Sequence, residues 1–311
     1  MSTITTRDAL AASASRAADA APPAYRRPRM GGVLRKAIAY AVLIAGAILL
    51  LTPFFWLVSS SLKTDQEISN LSQWLPTVPQ WGNYYESLQR MGLEVNGWFI
   101  SFPALANTIV VTVVSVVGQV LSCSLAGYGF ARYRFPGKNK AFAVMLATMM
   151  LPPQVTMIPT FLLFRQLGMI DSLLPLVIPA FFGSPFFIFM FRQFFAQVPE
   201  SLLEAARIDG ASHLQVYARI MLPLSKPVIA ITAIYTFMFA WNDFLGPLIY
   251  LNSPEMRTLA LELNAFSGQY GVESRELLMA ASFITMLPCI VLFFAAQRYF
   301  MDTGATSGMK G

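Results

Sequence analysis

One stretch of this chain combines charged, small and helix-breaking residues at spacings suited to recognition. Between Arg192 and Lys226 stand Pro199, Glu200, Glu204, Ala205, Ala206, Asp209, Gly210, Ser212, Ile220, Leu222 and Pro223. Pro199 suits the first turn of a helix, and Glu200 and Glu204, four apart, share one face of it. Ala205 and Ala206 leave a small-residue surface beside them, and Gly210 can take the positive φ that ends such a helix. Ser212 can cap a second helix, whose Leu214, Tyr217, Ala218 and Met221 fall at i, i+3, i+4 and i+7 and which Pro223 stops. Such a pair of helices offers docking: small side chains admit a partner's backbone and the carboxylates set its register. An inert connecting loop would not need this ordered series.

Other chemistries find little support. His213 is the single histidine and reads as a polar face residue, and no clustered carboxylates point to metal binding or acid–base catalysis. No Gly-x4-Gly-Lys-Ser/Thr phosphate loop occurs. The nearest stretch, Gly137-Lys138-Asn139, lacks the earlier glycine and the magnesium-binding hydroxyl, so this chain is not expected to hydrolyse ATP alone. Cys123 and Cys289 fall in apolar segments, where a free thiol behaves as a small hydrophobe, and imply no disulfide framework.

The elements that must hold the docking segment follow from composition. The 311 residues are 56% hydrophobic and 12% charged, with a mean hydropathy of +0.55, against about a quarter charged in an ordinary soluble domain. The solvent is therefore mostly lipid. Crossing it takes about 20 apolar residues per helix, and six runs qualify: Ile38 to Ser60, Asn107 to Phe130, Ala141 to Phe164, Leu173 to Phe191, Pro227 to Tyr250 and Leu277 to Ala296. The runs do not alternate and an open sheet cannot satisfy its backbone in lipid, so spanning strands are not expected. The fold class is all-α, polytopic, with six transmembrane helices. The third run is interrupted by Pro152, Pro153 and Pro159 and is expected to be a kinked helix beside a pore.

Charge sets the orientation. With the N-terminus inside, every Lys and Arg of the 22 lies in cytoplasmic segments except Lys63, Arg90, Arg165, Arg257 and Arg275. That is the positive-inside bias, and an even number of spans returns the C-terminus to the same side. The net charge of +6 is thereby explained without nucleic acid, and a helix pair tethered at both ends to a bilayer with no base-reading cluster does not read DNA. Residues 1 to 36 are expected to be a disordered cytoplasmic tail, 37 to 300 the six-helix transmembrane domain with a cytoplasmic loop at about 192 to 226, and 301 to 311 a cytoplasmic C-terminal tail. Asp8 and Asp19 argue against an organelle transit peptide, and the late, full-length first run against a secretory signal. Trp74, Trp81, Tyr84, Tyr85 and Trp98 in the first outer loop fit an interfacial belt better than a solute site.

Polar groups inside spans point to a pathway. A charge at the bilayer centre costs about 2.5–3.5 kcal/mol on insertion scales, and Asp243 follows Trp241 and Asn242 in the fifth run. Two readings compete for it: a structural pairing near the outer helix end, favoured by Gly246 and Pro247 close behind, and contact with a solute or gate. Tyr235, Gln154, Thr156 and Ser184 are the other candidates. Aromatic faces and Asn, Gln, Ser and Thr side chains suit hydroxyl-rich, sugar-like solutes.

The order Glu204-Ala205-Ala206, three residues, Gly210, nine residues, Ile220, one residue, Leu222-Pro223 resembles the EAA-loop signature of ABC importer permeases. Tyr128-Gly129-Phe130-Ala131-Arg132-Tyr133-Arg134-Phe135-Pro136-Gly137, Trp241-Asn242-Asp243-Phe244 with Pro247-Leu248, and Gln297-Arg298-Tyr299-Phe300 extend the likeness, which is nearest to the maltose-transporter class of carbohydrate permeases. The ending Thr303 to Gly311 matches loosely, and the N-terminal tail is longer than expected. The resemblance implies a type I importer permease fold in a bacterial inner membrane. It implies a second homologous permease subunit, two ATPase subunits carrying ATP and magnesium, and an extracytoplasmic solute-binding protein. The segment Glu200 to Asp209 would be the coupling helix and Glu204 its charged contact; Ala205, Ala206, Asp209, Gly210, Ile220, Leu222 and Pro223 complete the ATPase-coupling set. The solute would be a di- or oligosaccharide, with monosaccharides and glycerol phosphate diesters still open. An ion-driven secondary transporter would need coupling groups and internal repeats, for which Asp243 alone is a thin basis, and a membrane-embedded enzyme lacks a nucleophile–base or metal set.

Overall fold

The computed structural model describes residues 30–70, 72–96, 99–266 and 274–307. Residues 1–29 of the expected tail, Trp98 and the last residues of the C-terminal tail lie outside these. The chain divides into two compact units, Met1–Trp56 and Leu57–Gly311. The first contributes most of helix α1 (Met30–Ser61), an apolar helix whose Leu49 and Leu50 are strongly exposed. Its start at Met30 places residues 30–36 in the helix rather than in the tail.

The second unit begins with a polar segment. Helices α2 (Asp65–Ser69) and α3 (Gly82–Arg90) precede a short antiparallel hairpin, β1 (Glu94–Asn96) and β2 (Phe99–Ser101). These strands lie outside the apolar runs, so the expectation of helical spans is untouched. Fully buried Lys63 donates from Nζ to the Gln73 carbonyl at 2.5 Å, and Asn83 Nδ2 donates to the carbonyls of Ser61 and Lys63, both at 2.9 Å. Tyr84 stacks near Trp81 and shares a 2.7 Å hydrogen bond with Ser61, while Trp74, Trp81 and Tyr85 are exposed.

Glu67 closes a capping box with Thr64 and also accepts from the Thr77 amide at 2.9 Å. The Thr77 hydroxyl first, then the Thr64 and Thr77 amides, hold its carboxyl at about 2, below the ordinary 4.5. A depressed folded-state value gives order that is present above pH 4.5 and lost as pH falls through that value toward 2. The protection of the Thr64 and Thr77 amides, taken relative to their intrinsic exchange rates, is therefore expected to fall over that window in the native chain and to stay level in Glu67→Gln.

Helix α4 (Pro103–Arg132) is the centre of the second unit. It packs against α8 (Pro185–Gln197) and α12 (Lys226–Trp241). Its buried face is small and polar: Thr108, Thr112, Ser115, Gly118, Gln119, Ser124 and Gly127. Without a hydrophobic drive between helices in lipid, small residues that admit close backbone approach are what let spans associate. A Cβ on Gly127 would lie 2.6 Å from the Phe191 Cβ and 3.1 Å from the Arg192 nitrogen.

Two spans are broken. Helix α5 (Lys138–Ala147) runs through a 3-10 turn, Thr148–Met150, and then turns by 100° into α6 (Pro153–Gln166). Pro152 and Pro153 supply the break, because the tertiary amide removes donors and biases the preceding residue to extended backbone. The expected kink is thus a sharp fold, and Pro159 lies inside α6 without breaking it. After α7 (Leu174–Val177) and the 3-10 segment Ile178–Phe182, α8 carries the fourth span on to Gln197, six residues beyond Phe191. Helix α12 ends at Trp241 instead of running to Tyr250, and α13 (Leu245–Tyr250) is separate. Helices α14 (Leu259–Ala265) and α15 (Arg275–Ser307) complete the unit, α15 continuing past Ala296 into the expected tail. Among the described residues four helices are long and apolar enough to cross a membrane, and counting each bent pair, Lys138–Met150 with Pro153–Gln166 and His213–Leu224 with Lys226–Trp241, as one span brings the number to six.

At the Pro103 end of α4, polar contacts gather the connections. Thr108 Oγ1 accepts the Leu259 amide at 2.9 Å, Asn107 donates to the carbonyls of Glu255 and Arg257, and Asp171 accepts the amides of Asn252 and Ser253, both at 2.8 Å. Those bonds, with the Ser253 hydroxyl first among them, hold the Asp171 carboxyl below the ordinary carboxylate range.

Candidate functional site

The docking segment sits at the Arg132 end of α4 and folds into helices α9 (Glu200–Ile208), α10 (His213–Val216) and α11 (Leu222–Leu224). Pro199 is the N-cap of α9, one position before the first turn. At its other end the helix closes in a full Schellman arrangement. The Ala211 amide reaches the Ala206 carbonyl at 2.9 Å and the Gly210 amide the Arg207 carbonyl at 3.0 Å, with Gly210 at φ +82°. Ala206 thus serves the turn through its backbone, and Asp209 is the C-cap residue. Ser212 then forms a capping box with Gln215.

The second helix departs from the expected pattern. Tyr217–Met221 is a π-helical turn, and the helix continues through Pro223 to Leu224 before bending by 76° at Ser225 into α12. Pro223 therefore does not stop it. Having no N–H and a ring that crowds the carbonyl four residues back, it is accommodated by widening the turn before it. The wider turn rotates the buried face: Val216, Tyr217 and Met221 are buried while Leu214 and Ala218 are exposed.

What anchors α9 is Leu203, fully buried among Tyr128, Phe195, Val216 and Met221. The opposite face stays open. Glu200, Glu204 and Ala205 are exposed, Leu202 is 45% exposed, and Ile208, one turn beyond Glu204, is 86% exposed. Ile220 is half-buried and Leu222 packs at the edge of the same cluster.

The segment is bonded to α4 by residues whose role the sequence alone did not reveal. Ser124 and Tyr217 share a buried 2.7 Å hydrogen bond, Tyr128 packs against Tyr217 at 5.3 Å and Phe195 at 6.1 Å, and Tyr133 lies against His213. Arg132 donates to the carbonyls of Phe195 and Val198 and stands 3.9 Å from Glu200. It thereby places a cation on the carbonyls at the end of α8, where the helix dipole favours one.

The pathway candidates are scattered. Tyr235 lines an apolar cleft of about 400 Å³ with Ile234, Met238, Cys289, Leu292 and Phe293, and Asn242 donates to the Met238 carbonyl at 2.7 Å beside Cys289. Asp243 accepts the Gly246 amide at 3.1 Å, at the start of α13. Ser184 is the N-cap of α8, its amide on the Cys123 sulfur at 3.2 Å, and Gln154 and Thr156 are exposed in the first turn of α6. No hydrogen bond among the described residues joins Gln154 or Ser184 to Tyr235, Asn242 or Asp243.

Comparison with known proteins agrees with this architecture. Residues 120–302 match the family described as binding-protein-dependent transport system inner membrane component. The chain is 35% identical to the arabinooligosaccharides transport system permease protein AraQ of Bacillus subtilis (strain 168) over 85% of this chain and 92% of that one. It is 30% identical to the lactose transport system permease protein LacG of Rhizobium radiobacter over 85% and 93% of the two chains. A solved chain from a bacterial ABC transporter involved in the import of the acidic polysaccharide alginate aligns with a TM-score of 0.76 at 24% identity, covering 90% of this chain and 100% of that one, and carries the likeness of fold. This chain therefore belongs to the binding-protein-dependent transport system inner membrane components, as a membrane-embedded permease subunit of an ABC importer.

Proposed function

We propose that the chain forms half of the translocation pathway for an oligosaccharide, pairs with a second homologous permease, and is driven through α9 by two ATPase subunits that bind ATP and magnesium. The exposed face of α9 carries this reading. A large apolar side chain, Ile208, stands open to solvent one turn beyond Glu204 on a helix whose other face is fixed by Leu203, which is the form of a helix awaiting a groove. The oligosaccharide assignment draws on the relatives' arabino-oligosaccharide and lactose systems. Both termini and the docking segment lie on the cytoplasmic side in this reading, and an external binding protein delivers the solute. A ligand shifts a two-state equilibrium only by its differential affinity for the states, so the ATPase pair must hold α9 differently when open and closed. Tyr235 and Asn242 are the pathway residues of this reading, and Asp243 holds the start of α13.

Gly210→Val tests the docking arm. The left-handed backbone costs a side-chain-bearing residue about 1–2 kcal/mol, while nothing lies within 4 Å of the new Cβ. Expected is a fall in solute uptake by proteoliposomes with membrane insertion and ATP hydrolysis retained; Glu204→Ala should act the same way. Equal loss of insertion would sink the assignment. The solute arm is read from ATPase stimulation of the assembled complex by its binding protein loaded with arabino-oligosaccharides or lactose. Stimulation by neither, with response to a non-carbohydrate, overturns it.

A further inference from the structure

The turn between α4 and α5 carries a cationic cleft that the docking role does not use. Arg134, Phe135, Gly137, Lys138, Asn139 and Lys140 line a concavity of about 500 Å³. Arg134 and Arg192 are the charges that face Lys138, and no acidic residue occurs between Glu94 and Asp171. Among the described residues Arg134, Lys138, Lys140 and Arg192 form no ion pair. Lys138 bends back to donate to the Tyr133 carbonyl at 2.9 Å, and Arg192 stacks over Phe142 at 4.2 Å. Three cations, Arg134, Lys138 and Lys140, thus line one concave surface with Arg192 nearby, and none of the four has an acidic partner among the described residues.

The apolar surroundings specify the ligand. The turn joins α4, which is long and apolar enough to cross a membrane, to α5, which qualifies only together with α6 across their 100° bend, so with α4 as a span the cleft falls where hydrocarbon gives way to water. Phe135 and Tyr133 are exposed beside the cations, and Val144, further along α5, is 66% exposed. An acyl chain lying along Val144 would bring a headgroup phosphate to Arg134 and Lys140. Basic pockets at helix ends recognise anionic lipid headgroups in this way. We infer that the cleft formed by Arg134, Lys138 and Lys140 binds the phosphate of an anionic phospholipid headgroup.

The test uses the assembled transporter in nanodiscs of phosphatidylcholine with phosphatidylglycerol, followed by native mass spectrometry of the lipid retained on extraction. Wild type and the charge-keeping variant R134K/K140R are expected to retain phosphatidylglycerol over phosphatidylcholine. R134Q/K140Q is expected to lose about fivefold of that preference for each charge removed, with subunit assembly and ATP-driven uptake in mixed-lipid vesicles still measurable. Unchanged preference in R134Q/K140Q overturns the site, as does loss of the ATPase subunits from that variant with lipid retention intact, which would give the cations to a protein contact. A second arm measures protection of Asn139→Cys from a thiol reagent in detergent: stronger protection by phosphatidylglycerol than by inorganic phosphate supports the lipid, and equal protection assigns a soluble anion instead. The inference needs only that this turn meets the bilayer surface, so its failure leaves the solute and the ATPase docking untouched.

Discussion

Gly127→Val is expected to separate α4 from α8 and to give the largest loss of folded transporter of any single substitution considered. The added carbon meets the Phe191 Cβ at 2.6 Å, with the Arg192 nitrogen and Ile188 oxygen at 3.1 and 3.2 Å. None of these is the free end of a flexible side chain, so a backbone must move. Overpacking typically costs about 1–3 kcal/mol, and here the cost falls on the pair of helices whose contact also seats Leu203 and Tyr217. The yield of assembled complex and its thermal unfolding measure the effect: valine should abolish assembly or lower the unfolding temperature sharply, alanine less. Gly129, two residues on, has nothing within 4 Å of a new Cβ, and Gly129→Ala should be near wild type. Equal behaviour of the two alanine variants would show that close helix approach is not what Gly127 supplies.

The second large effect is expected from Arg132→Ala. The side chain is 10% exposed and its guanidinium serves the Phe195 and Val198 carbonyls. A hydrogen bond to a charged group contributes about 1.5–3 kcal/mol, whereas the 3.9 Å approach to exposed Glu200 adds little. Only Val198 and Pro199 separate α8 from α9, so this clamp sets the angle at which α9 leaves the span. Without it, ATP hydrolysis should continue while uptake falls tenfold or more, a factor that needs only about 1.4 kcal/mol, less than one of the two bonds. Arg132→Lys should recover part of the loss, because an ammonium keeps the charge and several donors but sits on a shorter stem than the Nη2 that serves both carbonyls. Uptake and hydrolysis falling together, in proportion to inserted protein, would make Arg132 a purely structural residue.

The sequence carries the docking segment more legibly than the pathway, for a physical reason. Gly210, Ser212 and Gln215 act through local backbone geometry, and caps and turns are written in residue type and spacing a few positions apart. The π-turn at Tyr217–Met221 escaped, since its cause, Pro223, reads equally as a stop. Arg132 and Gly127 escaped because their partners, Phe195, Val198 and Phe191, lie more than sixty residues away, and one sequence does not show which helices touch. The six apolar runs were legible from hydropathy alone, but their ends were not. Pro152 was expected to bend a helix and instead divides it at 100°, and Asp243, within a continuous apolar run, sits at a break where Gly246 offers its amide.

The bonding of Tyr217 and His213 to Ser124, Tyr128 and Tyr133 makes α4 a lever. Thirty residues of α-helix extend about 45 Å, and an ATPase acting on α9 as proposed would apply its stroke at one tip. A tilt of about 5° pivoting at the Arg132 end would swing the Pro103 tip by roughly 4 Å. That tip holds the Leu259 amide and the Glu255 and Arg257 carbonyls through Thr108 and Asn107, so a small rocking of the docking helices would be magnified at the far mouth of the molecule.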